Sequence, residues 1–417
     1  MSSASGAVRE SVHVCYVPAV DLRRLEPATT PYLSRLFASC PWSSIRTLPN
    51  VDHVPTMLTG VYPHQHGLWG LRIRDEDTRT PRDTILDLLP DTLNTAVQGM
   101  MHLADPRYDL ATIPSHRRRR FESRRFKREK VTGDRAMLEP IGGFDTIFTA
   151  VGRSRGSFSF HSNLRGLASL LTWCGSGRVA LEVVEIHSLD VLQHWELDRP
   201  ERIAGYYKAL DEYVGALHEK CRRNGVTLVL LSDHGMEPVT EWIDVMDGIR
   251  RLGVNPTEYS YFVENTKTTV WFHSDRARSA ITDWLAGHPR GVLLGFRDLG
   301  RFDLDFTDGS YGDVFLVPEP GCTFFPNDFY HPVANVLLAL STWQQWSRLR
   351  SARHRGDHGY LPEAECERGF ILLAEEGPPA TTNEATLIDV APSILQLLGV
   401  PAPATMRGKS VFGAADA

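Results

Sequence analysis

The chain has 417 residues, a formal net charge of −6 at pH 7 and 42% apolar residues. The acidic balance argues against bulk nucleic-acid binding, and no apolar stretch is long enough to span a bilayer. The length suits one large α/β domain or two domains, and the apolar content is that of a globular chain able to bury a sizeable core.

The first ten residues, Met1–Glu10, contain no apolar signal core. The six cysteines (15, 40, 174, 221, 322 and 366) form no CxxC pair or regular spacing, and Cys15 and Cys174 sit in apolar runs. Both features predict a cytoplasmic protein with buried, reduced thiols. A first strand is expected over Val12–Val17; it ends at Pro18, with Asp21 three residues later. Next comes the polar loop Thr47–His53, with Thr47, Asn50, Asp52 and His53 as its polar candidates. A helix is expected from about Val54-Pro55, because proline is favoured in a first helical turn. Free N–H groups at its start would face an anion, so the loop reads as substrate-facing. Taken singly, Thr47 and Asn50 are equally well ordinary turn or capping residues.

A basic block, His116–Lys130, follows. It reads as a solvated helix or loop, or as a lid that steers an anionic substrate. An RNA-binding arm with Phe121 and Phe126 interleaved has no support elsewhere in the chain. Val179–Ile186 is an apolar run followed by Asp190 and His194. Glu201–Arg223 repeats Ile203, Tyr206, Leu210, Tyr213 and Leu217 at helical spacing, and Asn224-Gly225 stops it. The β-branched run Val226–Leu231 then reads as a strand buried on both faces, with Asp233 and His234 at its end. A third Asp/His element, Gly356-Asp357-His358-Gly359-Tyr360, lies far downstream. Strand ends of an open α/β sheet point into the crevice where such sheets bind ligands. Carboxylate and imidazole together suit zinc and related divalent ions. Each element alone also reads as a turn or a satisfied surface pair.

Taken in order, these elements resemble the alkaline phosphatase superfamily, in particular its type I phosphodiesterase/nucleotide pyrophosphatase branch. The resemblance also rests on Thr30–Leu36, on Leu58–Pro63 with His66-Gly67, and on Gly312–Gly321. Arg368–Ala374 with Gly377-Pro378, then Ile388–Leu395, extend it to about Phe412. It implies a largely parallel sheet flanked by helices, in one domain covering residues 1–417. A cap would be inserted at about 242–306. It also implies two metal sites: Asp190, His194 and His358 for one ion, Asp233 and His234 for part of the other. Two such ions about 4 Å apart clamp an in-line displacement at phosphorus.

The chain departs from the family pattern at two positions. The family's strand-end Asp falls on Pro18 in an ungapped count, leaving Asp21 as its substitute or as a plain surface residue. The family's nucleophile falls on Asn50, whereas Arg46-Thr47-Leu48-Pro49-Asn50 matches the usual Lys-Thr-Phe-Pro-Asn only with three inserted residues. The resemblance implies a metal-dependent hydrolase of phosphoric esters, with one or two divalent ions (zinc foremost) and a small phosphorylated substrate. Three alternatives stand beside it. One is a diverged enzyme with one metal site and no covalent nucleophile, doing direct water attack or lyase-type chemistry. The second is a phosphonate hydrolase or phosphomutase. The third is a non-catalytic binding protein. Sulfatases are set aside because neither Thr47 nor Asn50 can yield a formylglycine.

Overall fold

The computed structural model describes residues 9–49, 53–69, 136–161, 167–306, 309, 311–328, 330, 332–341 and 343–413. Short stretches at 72–74, 88–90, 93, 97 and 121–123 are also described. Asn50 and Asp52 lie outside the described residues. So does the basic block 116–130, apart from Phe121–Ser123, which pairs with Arg72–Arg74.

Five strands of the main sheet come from the chain up to Ser232: β1 (Val12–Tyr16), β2 (Trp42–Arg46), β3 (Gly156–His161), β4 (Leu181–Ile186) and β5 (Thr227–Ser232). Four more, β6 (Tyr259–Val263), β7 (Thr268–Phe272), β8 (Gly291–Gly295) and β9 (Val314–Pro318), build a separate antiparallel sheet in the order β6-β7-β9-β8. Then come β10 (Arg368–Leu373) and β11 (Glu384–Thr386), which return to the first sheet. That sheet has the order β11-β2-β10-β5-β1-β4-β3. Only β10 runs against its neighbours, so the sheet is mixed but mainly parallel.

The central strands are buried on both faces because their side chains alternate between two cores. Val12, Val14 and Tyr16 of β1 join the cluster holding Ile45, Met57, Ile147 and Ile394. Cys15 and Val17 join the opposite cluster with Leu210, Val214 and Leu217. The second sheet has its own core, in which α5 (Val245–Arg251) and α6 (Asp275–Ala286) contribute Ile249, Ile281 and Leu285 against Phe272 and Leu316. Its strands run from Tyr259 to Pro318.

Of the helices on the central sheet, α1 (Pro31–Ser39), α2 (His53–Thr59), α3 (Ser188–Glu196), α4 (Pro200–Arg223) and α7 (Val390–Leu397) matter most for the site. α4 is long, and Asn224 caps it by donating to the Lys220 and Cys221 carbonyls before Gly225 at φ 66°. The fully buried tyrosine on its inner face is Tyr207 rather than Tyr206, which is half-buried against Glu196. Tyr207 accepts a hydrogen bond from the Asp21 N–H at 2.9 Å, so α4 braces the loop after β1. Asp211 of α4 also caps α1, accepting from the Leu33 and Tyr32 N–H groups at 2.7 and 3.1 Å. Thr30, the residue preceding α1, makes no side-chain cap of its own.

Strand direction puts the chemistry at one edge. β4, β1 and β5 are parallel, so α3, the Pro18 loop and Asp233 all follow strand ends on the same side. β10 is antiparallel, so its start lies there too, and the Arg46↔Arg368 pairing brings the end of β2 to it. A Cβ at Gly369 would overlap the Ser232 carbonyl, so β10 can cross the end of β5 only without a side chain at that point.

Candidate metal centre

Asp190 and His194 sit four residues apart on α3, which places both on one helix face. Asp190 Oδ1 lies 3.6 Å from His194 Nε2 and 3.3 Å from His358 Nε2. The same oxygen is buried and has no hydrogen-bond partner among the described residues. Two imidazole nitrogens therefore converge on an orphaned carboxylate oxygen. His194 presents Nε2 because its Nδ1 lies 2.9 Å from the Gly356 carbonyl, the outer contact that fixes a metal-binding imidazole.

A second group lies beside the first. Asp233 Oδ2 is 2.9 Å from His53 Nδ1 and 3.6 Å from His234 Nε2, and it accepts the Tyr16 hydroxyl at 2.8 Å. Its other oxygen, Oδ1, is buried with no partner among the described residues. His234 Nδ1 is 2.7 Å from the Gly235 carbonyl. The two groups adjoin because the His234 and His358 rings stack, with centroids 3.7 Å apart and planes within 12°. His53, Asp233 and His234 are almost fully buried, whereas His358 and His194 are 27% and 15% exposed. The first group is thus the one open to solvent.

Electrostatics separate the histidines. Burial pushes the Asp190 carboxyl up, but the charges of His194, His187 and His358 outweigh it and hold it well below its ordinary range. Asp233 is held low in the same way, by His234, His53 and the Tyr16 hydroxyl acting against burial. Burial lowers His194 to about 4 and His234 to about 3, against the pull of the neighbouring carboxylates. His358 goes the other way. Burial opposes its charge, yet the Asp190 carboxylate beside it raises it to about 9.

Of the residues expected from sequence, Asp190, His194, His358, Asp233 and His234 come together. Asp21 does not join them. Its buried carboxylate is engaged by Arg23, at 3.0 Å from Nε to Oδ1 and 2.8 Å from an outer nitrogen to Oδ2. The pairing of β1 with β5 ends at Tyr16↔Leu231, two residues before Pro18 and Asp233. His53, read only as one polar member of its loop, is the residue that reaches Asp233. Its position at the start of α2 was the available signal. Thr47 is 1% exposed, and its Oγ1 has no partner among the described residues.

Several outer contacts lie beyond the expected ligands, and of their acidic and histidine residues only Asp357 stands in one of the sequence motifs. His187 lies 3.3 Å from Asp190 Oδ2 and 3.3 Å from Glu185 Oε1. Asp357 lies 3.6 Å from His194 Nδ1 and 3.0 Å from His354 Nδ1, and these three form a further His/Asp group. Glu367 accepts the Gly359 and Tyr360 N–H groups at 2.6 and 2.9 Å, which pins the turn after His358.

A family model described as "Type I phosphodiesterase / nucleotide pyrophosphatase" matches residues 21–361. Among solved structures, murine ectonucleotide pyrophosphatase/phosphodiesterase 5 aligns with a TM-score of 0.62 at 14% identity, over 94% of this chain and 96% of its own. An inactive threonine-to-alanine form of the murine protein in complex with AMP aligns at 0.63 and 14%, over 95% and 96%. The human counterpart aligns at 0.62 and 13%, over 96% and 97%. No curated protein sequence matches the chain. At these identities the structural likeness concerns the fold.

Proposed function

Because the chain belongs to the type I phosphodiesterase/nucleotide pyrophosphatase family, we propose that it is a metal-dependent hydrolase of phosphoric esters, acting on a phosphodiester or a nucleotide pyrophosphate. Family and fold support phosphoric-ester hydrolysis. The observation that carries the metal dependence is the pair of orphaned, buried oxygens, Asp190 Oδ1 and Asp233 Oδ1, each on a carboxylate ringed by imidazoles. A buried carboxylate oxygen that accepts no hydrogen bond is costly, and a cation relieves that cost.

In this reading Asp190, His194 and His358 hold one cation, and His53, Asp233 and His234 hold a second. A nitrogen-and-carboxylate donor set fits zinc better than magnesium or calcium. Cations there would offset charge on the phosphoryl oxygens and align the attacking and leaving oxygens. The protein's own residues do the positioning. The Gly356 and Gly235 carbonyls orient His194 and His234, Tyr16 fixes Asp233, and Glu367 holds the turn behind His358. We assign the nucleophile to Thr47, whose hydroxyl is buried just past β2 at the same sheet edge. The inactive threonine-to-alanine form of the murine neighbour supports a threonine in this role, and its AMP complex supports a nucleotide substrate.

A second reading, direct attack by water with Asn50 at the site, is favoured by Pro18 at the end of the first strand, where the family pattern has an Asp. The ungapped count that predicts this proline also predicts Asn50. For compartment, the six free thiols support a reducing environment. Among the described residues no helix is long and apolar enough to cross a membrane.

A chelation experiment tests the proposal. Purified protein should hydrolyse bis(4-nitrophenyl) phosphate or a dinucleotide pyrophosphate, lose at least about 10²-fold in rate after dialysis against a zinc chelator, and recover on adding zinc. Hydrolysis that survives full removal of metal would rule the reading out.

A further inference from the structure

The turn between β6 and β7, Glu264–Lys267, touches both arms of the site. It is closed by the Glu264 N–H donating to the Lys267 carbonyl at 2.7 Å. Thr266 donates its hydroxyl to the His358 carbonyl at 2.8 Å. The Asn265 amide nitrogen lies 2.6 Å from His354 Nδ1, and Thr323 Oγ1 lies 2.7 Å from the Asn265 carbonyl and 3.1 Å from Asp357 Oδ2. These contacts face the loop that carries His358. On the other side Lys267 Nζ sits 4.3 Å above the centre of the Trp69 ring. Trp69 Nε1 in turn donates to the Pro49 carbonyl at 3.0 Å, two residues past Thr47.

Lys267 and Glu264 are each 4% exposed, and their charges meet at 2.9 Å. Burying an ammonium is costly unless it is paired, and an apolar turn would pack here without that cost. The carboxylate and the ring face together fix where the ammonium lies, so the pair sets one geometry for the turn. Trp69 is held equally firmly: its backbone N–H donates to the Tyr311 hydroxyl at 3.0 Å, and its ring stacks on Phe306.

We propose that Glu264–Lys267 is a positioning element which sets the His354–His358 loop through Asn265 and Thr266, and the Thr47–Pro49 segment through Lys267 and Trp69. It rests on the two-cation reading given above. The second sheet then does more than cover the site, because its turn holds the two catalytic loops at a common spacing.

The test is to measure zinc affinity, by competition with a chromophoric chelator, together with kcat, KM and Tm for Thr266→Val, Thr266→Ser, Lys267→Met and Lys267→Arg. Thr266→Val should weaken one of two zinc ions by about 10–100-fold, the usual effect of losing an outer contact, and Thr266→Ser should restore it. Lys267→Met should keep both ions and lower kcat by about 10-fold with KM little changed, because it misplaces the loop and not the cations. Lys267→Arg, which keeps the charge over the ring, should recover most of that loss. Wild-type zinc affinity in Thr266→Val together with wild-type kcat in Lys267→Met would overturn the positioning role. So would a fall in Tm that the conservative variants share. A wild-type protein that binds no zinc would instead overturn the two-cation reading itself.

Discussion

Asp190→Ala should lower kcat/KM by about 10³-fold or more, since it removes the one carboxylate of the solvent-open metal group at the point where charge develops. Zinc content should fall by one ion per chain while the circular dichroism spectrum stays that of the wild type, because α3 and the sheet do not depend on this side chain for their packing. The variant also carries a pH signature. In cation-free protein the His358 imidazole is raised from an ordinary value of 6.5 to about 9, mainly by Asp190 acting against burial. A group raised on folding stabilises the folded state fully below pH 6.5, and that contribution is lost as pH climbs through about 9. Urea unfolding of the chelated wild type should therefore show stability declining from pH 6.5 to 9 through this group, and Asp190→Ala should remove that component. His194 and His234, lowered to about 4 and 3, act in the opposite sense: their unfolded forms shed protons around pH 6.5, so their effect raises stability at the start of this window and is complete about one pH unit above it. Identical pH dependence in the two proteins would contradict the assigned pairing of His358 with Asp190.

Thr47→Ala should abolish turnover and any trappable phospho-enzyme, with a loss of about 10⁴-fold, whereas Asn50→Ala should only slow the reaction. The reason is chemical. A hydroxyl can become an alkoxide, while the amide nitrogen of Asn is delocalised and its oxygen cannot form a stable ester. Thr47→Ser should keep measurable activity, because it retains the hydroxyl at a buried position that demands little else. Rapid-quench kinetics on a chromogenic diester, run for the three variants together, give the answer. If Asn50→Ala is the lethal change and no phospho-enzyme can be trapped from wild type, the water-attack reading replaces the covalent one.

The sheet was legible because its strands are continuous apolar runs bounded by turn residues: Val12–Val17, Val226–Leu231 and Arg368–Ala374 all lie within two residues of β1, β5 and β10. The long helix was legible through its period, but its phase was off at one tyrosine, where both Tyr206 and Tyr207 satisfy a helical spacing. Five chemistry-bearing residues were legible because each follows a strand or sits in a short Asp/His motif. The sixth was not. Asp21 was the ligand expected from sequence and His53 only one polar member of its loop, and the fold decides that Arg23 captures the first while α2 delivers the second to Asp233. The outer contacts from Tyr16, His187, His354 and the 264–267 turn could not be read at all. They depend on which strands are neighbours, and a single chain carries no local signal for that.

The most direct measurement is anomalous diffraction at the zinc edge from crystals grown with zinc and a nucleotide. The account predicts two peaks per chain, one bounded by Asp190, His194 and His358 and the other by His53, Asp233 and His234, with Asp21 still on Arg23. No peak at either group, or a second ion held by Asp21 with His53 turned away, would contradict it.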